Sequence, residues 1–355
     1  MKNLLSPIKI GTKEAKNRLM LPPIVCFGYC AGNDGFVTDA HVTHYEKMAK
    51  GGTGIIVVEA TCVCKQGRLS ADQLGIWDDS FIEGFKQITN AIHKYESLAI
   101  LQIHHAGLKT AKHSLEPSNM PVAPSNYEDD AEIRAREMTD SEIEDISLKF
   151  VNAAIRAEKA GFDGVEVHSC HGYLINQFLS EVVNKRTDKY GIDKKLLGTE
   201  ILQNIKSKLP PGFITGVRIP GNEPDIKTSA AFAKAFEEAG ADYLSVSYGF
   251  LRHIPADLNH DEKSPYSIPV AMGAEIKKHV SVPVAVVFGI NSPEEANGII
   301  ESGMADIAAA ARGLLVDSDW IVKMNSGEDI KKCLKCAKCL TYSGIENCVI
   351  KTPQH

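Results

Sequence analysis

The sequence predicts an α/β protein: a (β/α)8 TIM barrel over residues 1–328, followed by a short cysteine-bearing tail over 329–355. Three observations predict it. First, GGTGIIVVEA (51–60), AGFDGVEVHS (160–169), AGADYLSVSY (239–248) and SGMADIAAAA (302–311) repeat one design, in which a helical segment ends at a glycine, a turn follows, and a short apolar strand begins. Glycine suits a left-handed helix terminus because it has no Cβ to clash. Strands apolar along their whole length suit a parallel sheet covered by helices. Second, eight such strands alternate with at least seven helical segments. Third, most of these strands end on a polar residue, namely Glu59, His168 and Ser247, with Arg312 just after the last. Functional side chains of (β/α)8 barrels occupy those ends. A doubly wound open sheet is the runner-up, and the lack of a G-x-G-x-x-G after the first strand counts against its dinucleotide-binding form.

The elements follow in order. RLMLPP (18–23) gives the first strand, residues 51–60 the second and LAILQIHH (98–105) the third. The segment 106–138, with Pro117, Pro121 and Pro124, is too long and polar for an ordinary connection. It reads as an excursion over the barrel mouth, facing substrate. SEIEDISLKFVNAAIRAEKA (141–160) is an amphipathic helix leading into the fourth strand. FITGVRIP (213–220) is the fifth strand, TSAAFAKAFEEAG (228–240) the next clear helix, and residues 239–248 hold the sixth strand. VPVAVVFG (282–289) and residues 302–311 complete the eight. No linker divides the chain and no low-complexity tract interrupts it.

Composition is that of an ordinary soluble globular protein, with 44% hydrophobic and 24% charged residues. A net charge of −6 without a long basic run argues against nucleic acid and anionic membrane as partners. No apolar leader opens the chain, and no stretch reaches the ~18 apolar residues of a membrane span. Nine cysteines, five scattered and four clustered, do not form a disulfide framework, so a reducing cytoplasm is expected.

The chemistry concentrates in VEVHSCHGYL (165–174), where His168, His171 and Tyr173 follow an apolar strand. A hydrogen-bonded histidine pair beside a helix start is the plain alternative. Zinc is disfavoured, because no clear third ligand lies nearby in the sequence. At a barrel mouth, imidazole N–H groups can hold a developing oxyanion and a phenol can deliver a proton.

VEVHSCHGYLINQFLSEVVNKRTDKYG (165–191) resembles the signature of the old yellow enzyme family, FMN-dependent ene-reductases on a (β/α)8 barrel. AKNRLMLPPI (15–24), YEKMAKGGTGIIVVEA (45–60), LAILQIHHAG (98–107), PVAPS (121–125), GVRIP (216–220), VPVAVVFGINSPEEAN (282–297) and ADIAAAARGLLVDSDW (305–320) extend the resemblance over nearly the whole chain. It implies that Pro23, Ile24 and Ala60 lie against the flavin ring and that Gln102 bonds its pyrimidine edge. Arg218 would stand where negative charge gathers on reduction, and Gly289, Ala311 and Arg312 would meet the phosphate. His168 and His171 would grip the carbonyl oxygen of an enone, and Tyr173 would protonate its α-carbon. The implied reaction is ping-pong, with NADH or NADPH as reductant. The family is also often oligomeric.

Three departures stand out. The usual HAGR reads HAGL, leaving Leu108 at the arginine position with Lys109 beside it; Phe288 and Ala311 stand where glycines are usual. His253, in YGFLRHIP (248–255), aligns with a loop histidine that helps protonation in the 2,4-dienoyl-CoA reductase branch, although a solvated loop histidine is the simpler reading. Cys26, Cys30, Cys62, Cys64 and Cys170 read as packing residues, with Cys26 falling near the flavin by alignment.

Cys333, Cys336, Cys339 and Cys348 are spaced C-x2-C-x2-C-x8-C. Four thiolates so close usually bind a metal. The resemblance implies a 4Fe-4S cluster ahead of zinc, fed by an electron-donor protein, because the dienoyl-CoA reductase branch carries a cysteine set here followed by FAD and NAD(P)H domains. Two alternatives to an ene-reductase follow: a barrel subunit receiving electrons through that cluster, and a flavin-free barrel that only binds ligands.

Overall fold

The structure is a computed structural model that describes residues 3–26, 29–30, 32–115, 119–129, 133–261, 263–336 and 348. Eight parallel strands close on themselves in chain order. They are β3 (Leu19–Leu21), β4 (Ile55–Cys62), β5 (Leu98–His104), β9 (Gly164–His168), β10 (Ile214–Pro220), β11 (Tyr243–Ser247), β12 (Val284–Val287) and β13 (Ile307–Ala309). A hairpin of β1 (Ile8–Ile10) and β2 (Lys13–Ala15) precedes them. Eleven helices are described: α1 (Asp39–Lys50), α2 (Ile82–His93), α3 (Asp140–Lys159), α4 (Leu174–Leu179), α5 (Lys189–Ile192), α6 (Leu196–Lys208), α7 (Ile226–Glu238), α8 (Ile268–Lys277), α9 (Pro293–Glu301), α10 (Arg312–Val316) and α11 (Trp320–Ser326). All eight strands expected from the repeat are present, and the two clearest helices lie within two residues of their expected spans.

Local chemistry accounts for the helices. In α3, Ile143, Ile146, Phe150, Ala154 and Ala157 are buried at the spacing of one helical face. Thr139 and Glu142 form a capping box that satisfies free N–H groups at its start. Ser292 and Glu295 do the same for α9, with Pro293 in its first turn.

Two apolar layers result. The larger lies between strands and helices. The smaller fills the barrel's N-terminal end, where Met20, Ile55, Ile214, Tyr243 and Ile307 pack on Ile8, Ile10 and Ala15 of the hairpin. The hairpin, which periodicity did not reveal, is therefore a stopper. Arg18 binds this end together: its guanidinium donates to the carbonyls of Asp306 (2.9 Å) and Pro7 (3.2 Å) and to Ser6 Oγ (3.0 Å).

The excursion after β5 is more ordered than a loop. It holds a small sheet in which β8 (Arg134–Glu137) lies between β6 (Val122–Ala123) and β7 (Tyr127–Glu128). Leu108, at the position where arginine is usual, is buried beneath it with Ala123, Ala135 and Val183. No helix among the described residues is long and apolar enough to cross a membrane.

Candidate active site

Strand register assembles the site at the C-terminal rim. His168, the last residue of β9, stands beside Arg218 of β10, and Arg218 beside Ser245 of β11. Gln102 of β5 stands beside Glu166 of β9. Gln102 Nε2 donates to Glu166 Oε1 (2.7 Å), and the Tyr243 hydroxyl donates to Glu166 Oε2 (2.8 Å). Burial raises the Glu166 carboxyl above its ordinary range, against the pull of Arg218.

The turn after β9 explains the spacing of its polar residues. His171 and Gly172 both adopt left-handed backbone, with φ of 60° and 71°. Histidine tolerates that region better than bulkier residues do. The turn is pinned by His171 N–H to Tyr248 O (3.0 Å), Gly172 N–H to Asn176 Oδ1 (2.7 Å) and Tyr173 N–H to Cys170 O (3.2 Å). At its φ of 71° a side chain on Gly172 would be strained, and a Cβ would fall 2.9 Å from Phe250 Cδ2. Lys109 donates to the His171 carbonyl (2.7 Å) and sits 5.4 Å from the centre of the Tyr173 ring. It thus secures the turn that Leu108 does not reach.

The three expected residues come together. The His168 ring lies 4.8 Å from that of Tyr173 and 5.2 Å from that of His171, both edge-on. A fourth ring, unforeseen, joins them: His104, 4.4 Å from Tyr173 and 5.3 Å from His168. Its tautomer follows from its neighbours. Gln73 Oε1 accepts from Leu69 N–H (2.6 Å), so Gln73 Nε2 is the donor to Ala60 O (2.8 Å) and to His104 Nδ1 (3.0 Å). His104 therefore carries its proton on Nε2, which has no partner among the described residues. Burial drives the imidazoles toward neutrality, His104 down to about 3, and His168 and His171 well below their ordinary value with Arg218 adding to the effect. His171 Nε2 meets Ser247 Oγ at 2.6 Å.

Cys170, which the sequence reading took for a packing residue, is a third donor: the ligand atoms of His168, Cys170 and His171 lie within 4.8 Å of one another. Burial pushes the Cys170 thiol up to about 12, which opposes the thiolate a metal needs.

Pro23 and Ile24 are half-buried just beyond β3, and Ala60 is buried in β4. Glu59, fully buried, accepts from Cys26 N–H (3.0 Å) and from the Tyr45 hydroxyl (3.2 Å), fastening the segment after β3 to β4. Arg218 is buried and its Nε has no partner among the described residues, so an acceptor is missing where a flavin would lie. Phe288 and Gly289, beyond β12, both take positive φ (80° and 78°), an unusual conformation for phenylalanine that marks a constrained turn. Ala311 and Arg312 are half-buried at the start of α10, beside that turn in strand order. These features fit FMN: an apolar approach from Pro23, Ile24 and Ala60, a buried guanidinium whose Nε lacks an acceptor among the described residues, and two adjacent strand ends for a phosphate.

His253 lies apart from this group. Its Nε2 contacts the Pro224 carbonyl (2.7 Å) at an exposed position. Cys26, Cys30, Cys62 and Cys170 are buried as expected, whereas Cys64 is half-buried. Of the tail, Cys333 is half-buried, Cys336 exposed and Cys348 buried, while Cys339 lies outside the described residues.

Residues 3–330 match the model of the NADH:flavin oxidoreductase / NADH oxidase family. The chain is 37% identical over 346 residues to an NADH oxidase of Thermoanaerobacter brockii, covering 94% of this chain and 52% of that protein. It is 33% identical to an NADPH dehydrogenase of Geobacillus sp. (strain WCH70), covering 89% of this chain and 92% of that protein. A solved 2-naphthoyl-CoA reductase in complex with 2-naphthoyl-CoA superposes with a TM-score of 0.85 at 27% identity, over 95% of this chain and 54% of that one. The old yellow enzyme homologue of Zymomonas mobilis shares the fold, with a TM-score of 0.79 at 23% identity over 94% of this chain and 95% of that one. The chain thus spans about half the length of the first two of these longer relatives, the NADH oxidase and the naphthoyl-CoA reductase, and nearly all of the shorter ones. With its closed barrel, its rim of ring side chains and a match over most of its length, the chain belongs to the NADH:flavin oxidoreductase / NADH oxidase family.

Proposed function

We propose that the protein is an FMN-dependent NAD(P)H oxidoreductase that reduces the C=C bond of α,β-unsaturated carbonyl compounds by a ping-pong mechanism. FMN, held by these residues, would supply the hydride chemistry that links nicotinamide oxidation to C=C reduction. The chain's own residues do the rest. Pro23, Ile24, Ala60 and Gln102 hold the ring, Arg218 offers a positive charge beside it, and Gly289, Ala311 and Arg312 hold the phosphate. His168 and His171, kept neutral by burial, present N–H donors to the carbonyl oxygen without adding a second and third cation beside Arg218. Tyr173 holds the proton destined for the α-carbon, and Lys109 over its ring keeps the phenol in place.

The observation that carries this reading is the packing of His168, His171 and Tyr173 edge-on at the end of one strand, next to a buried guanidinium whose Nε lacks an acceptor among the described residues. Tyr173→Phe tests it in rapid-mixing experiments on the two half-reactions. Oxidation by a small enone should slow by roughly 10²–10⁴-fold while reduction by NADH or NADPH stays nearly unchanged. Equal loss in both would remove Tyr173 from proton delivery.

A further inference from the structure

One register row of the barrel holds more polar chemistry than packing requires. Gln102 of β5, Glu166 of β9, Gly216 of β10 and Tyr243 of β11 stand side by side across adjacent strands, all of them buried. The glycine lets the row close. A Cβ at Gly216 would fall 2.1 Å from Tyr243 Cε1, so the phenol ring lies across β10 at that position and reaches Glu166 on the far side. Both Glu166 oxygens accept, one from Gln102 Nε2 (2.7 Å) and the other from the Tyr243 hydroxyl (2.8 Å). Hydrogen bonds donated to both oxygens favour the ionised carboxylate.

Two residues nearer the rim on the same strands are His168 and Arg218, themselves side by side in register. Two residues of strand span about 7 Å. The carboxylate therefore lies one layer beneath the Arg218 guanidinium, the opposite charge that acts on it. A buried carboxylate held by two neutral donors is a poor way to gain stability, because apolar residues could fill the same space. Its charge acts instead on the layer above. It also settles the Gln102 amide. A carboxylate only accepts, so Gln102 turns its nitrogen to Glu166 and keeps its carbonyl oxygen as the acceptor that an N–H of a flavin pyrimidine edge requires.

We propose that Glu166 is a positioning residue for the flavin's redox equilibrium: its carboxylate, held by Gln102 and Tyr243 one layer beneath Arg218, offsets that cation and holds bound FMN toward the oxidised form. Reduction gathers negative charge beside Arg218, and a second negative charge below opposes it. In a protein interior with an effective dielectric constant near 20, a unit charge about 10 Å away alters such an equilibrium roughly tenfold. Arg218 and Glu166 thus work against each other, the guanidinium drawing electrons onto the ring and the carboxylate keeping them easy to pass on. The inference rests on the FMN assignment and not on the identity of the electron acceptor.

The test is the redox equilibrium of the full, FMN-loaded chain against reference dyes, followed by absorption. Glu166→Gln keeps the size of the side chain and removes its charge. It should shift the equilibrium ~10-fold toward reduced flavin, about 30 mV more positive for a two-electron couple. It should also tighten the binding of sulfite, an anion that adds to oxidised flavin, in the same direction. Glu166→Asp keeps the charge and should stay within ~3-fold of the unsubstituted protein. If Glu166→Gln fails to fold, Glu166→Met combined with Tyr243→Phe removes acceptor and donor together and should give the same shift. A charge-removing variant that holds FMN but moves the equilibrium less than ~3-fold, or the opposite way, would overturn the inference and leave the cofactor assignment standing. An equal shift in Glu166→Asp would overturn it too, by assigning the effect to packing. A chain that takes up no FMN would overturn both.

Discussion

Glu59 is fully buried, and burial raises its carboxyl to about 7 even though Cys26 N–H and the Tyr45 hydroxyl bond to it. In the unfolded chain the same group titrates near its ordinary value of 4.5. The folded state therefore binds the extra proton between those values. Its contribution is full below pH ~4.5 and is lost as pH rises through about 7, a change of about 3 kcal/mol. Glu59→Gln should flatten the stability-against-pH curve over that window, as read by urea unfolding at a series of pH values; an unchanged slope would show the carboxylate ionised throughout. Residues of this kind were only partly legible in the sequence. His168, His171 and Tyr173 sit in one contiguous stretch, so their proximity was readable. His104, Glu166 and Gln73 act through neighbours contributed by other strands and loops, and only register reveals such partners. Leu108 illustrates the converse: an apparent loss at an arginine position is a gain of apolar packing beneath the excursion.

Among the elements, α3 shows how much a helix depends on its first turn. Thr139 Oγ1 accepts from the Glu142 N–H (3.3 Å) while Glu142 Oε2 accepts from the Thr139 N–H (2.9 Å). Thr139→Ala should cost about 1 kcal/mol, seen as a lower urea midpoint with unchanged slope; no shift would mean that water replaces the cap. The helix was legible because its apolar spacing runs for several turns. The small sheet of β6, β7 and β8 was not. Its strands have two to four residues, too few for any alternation to register, and β6 and β8 pair across a long intervening segment.

At the level of the whole molecule, a barrel has no free edge only if its last strand meets its first. β13 and β3 pair through just Ala308 with Leu19 and Ala309 with Met20, the shortest kind of seam. Arg18, just before β3, reinforces it by bonding the Asp306 carbonyl just before β13, and it also holds the Pro7 carbonyl ahead of the hairpin. Arg18→Met should destabilise the fold by about 2–3 kcal/mol, because it leaves buried acceptors without donors. Chemical denaturation would measure it, and a loss below about 0.5 kcal/mol would show the seam self-sufficient. The strand repeat announced the eightfold architecture, whereas the N-terminal hairpin, only three residues to a strand, gave no warning of its place beneath it. That hairpin has a kinetic meaning. With one end corked by Ile8, Ile10 and Ala15, the described residues leave the opposite rim as the way in. Under the proposed chemistry, electron donor and electron acceptor form a queue rather than passing through a corridor, and a surplus of either holds the other outside.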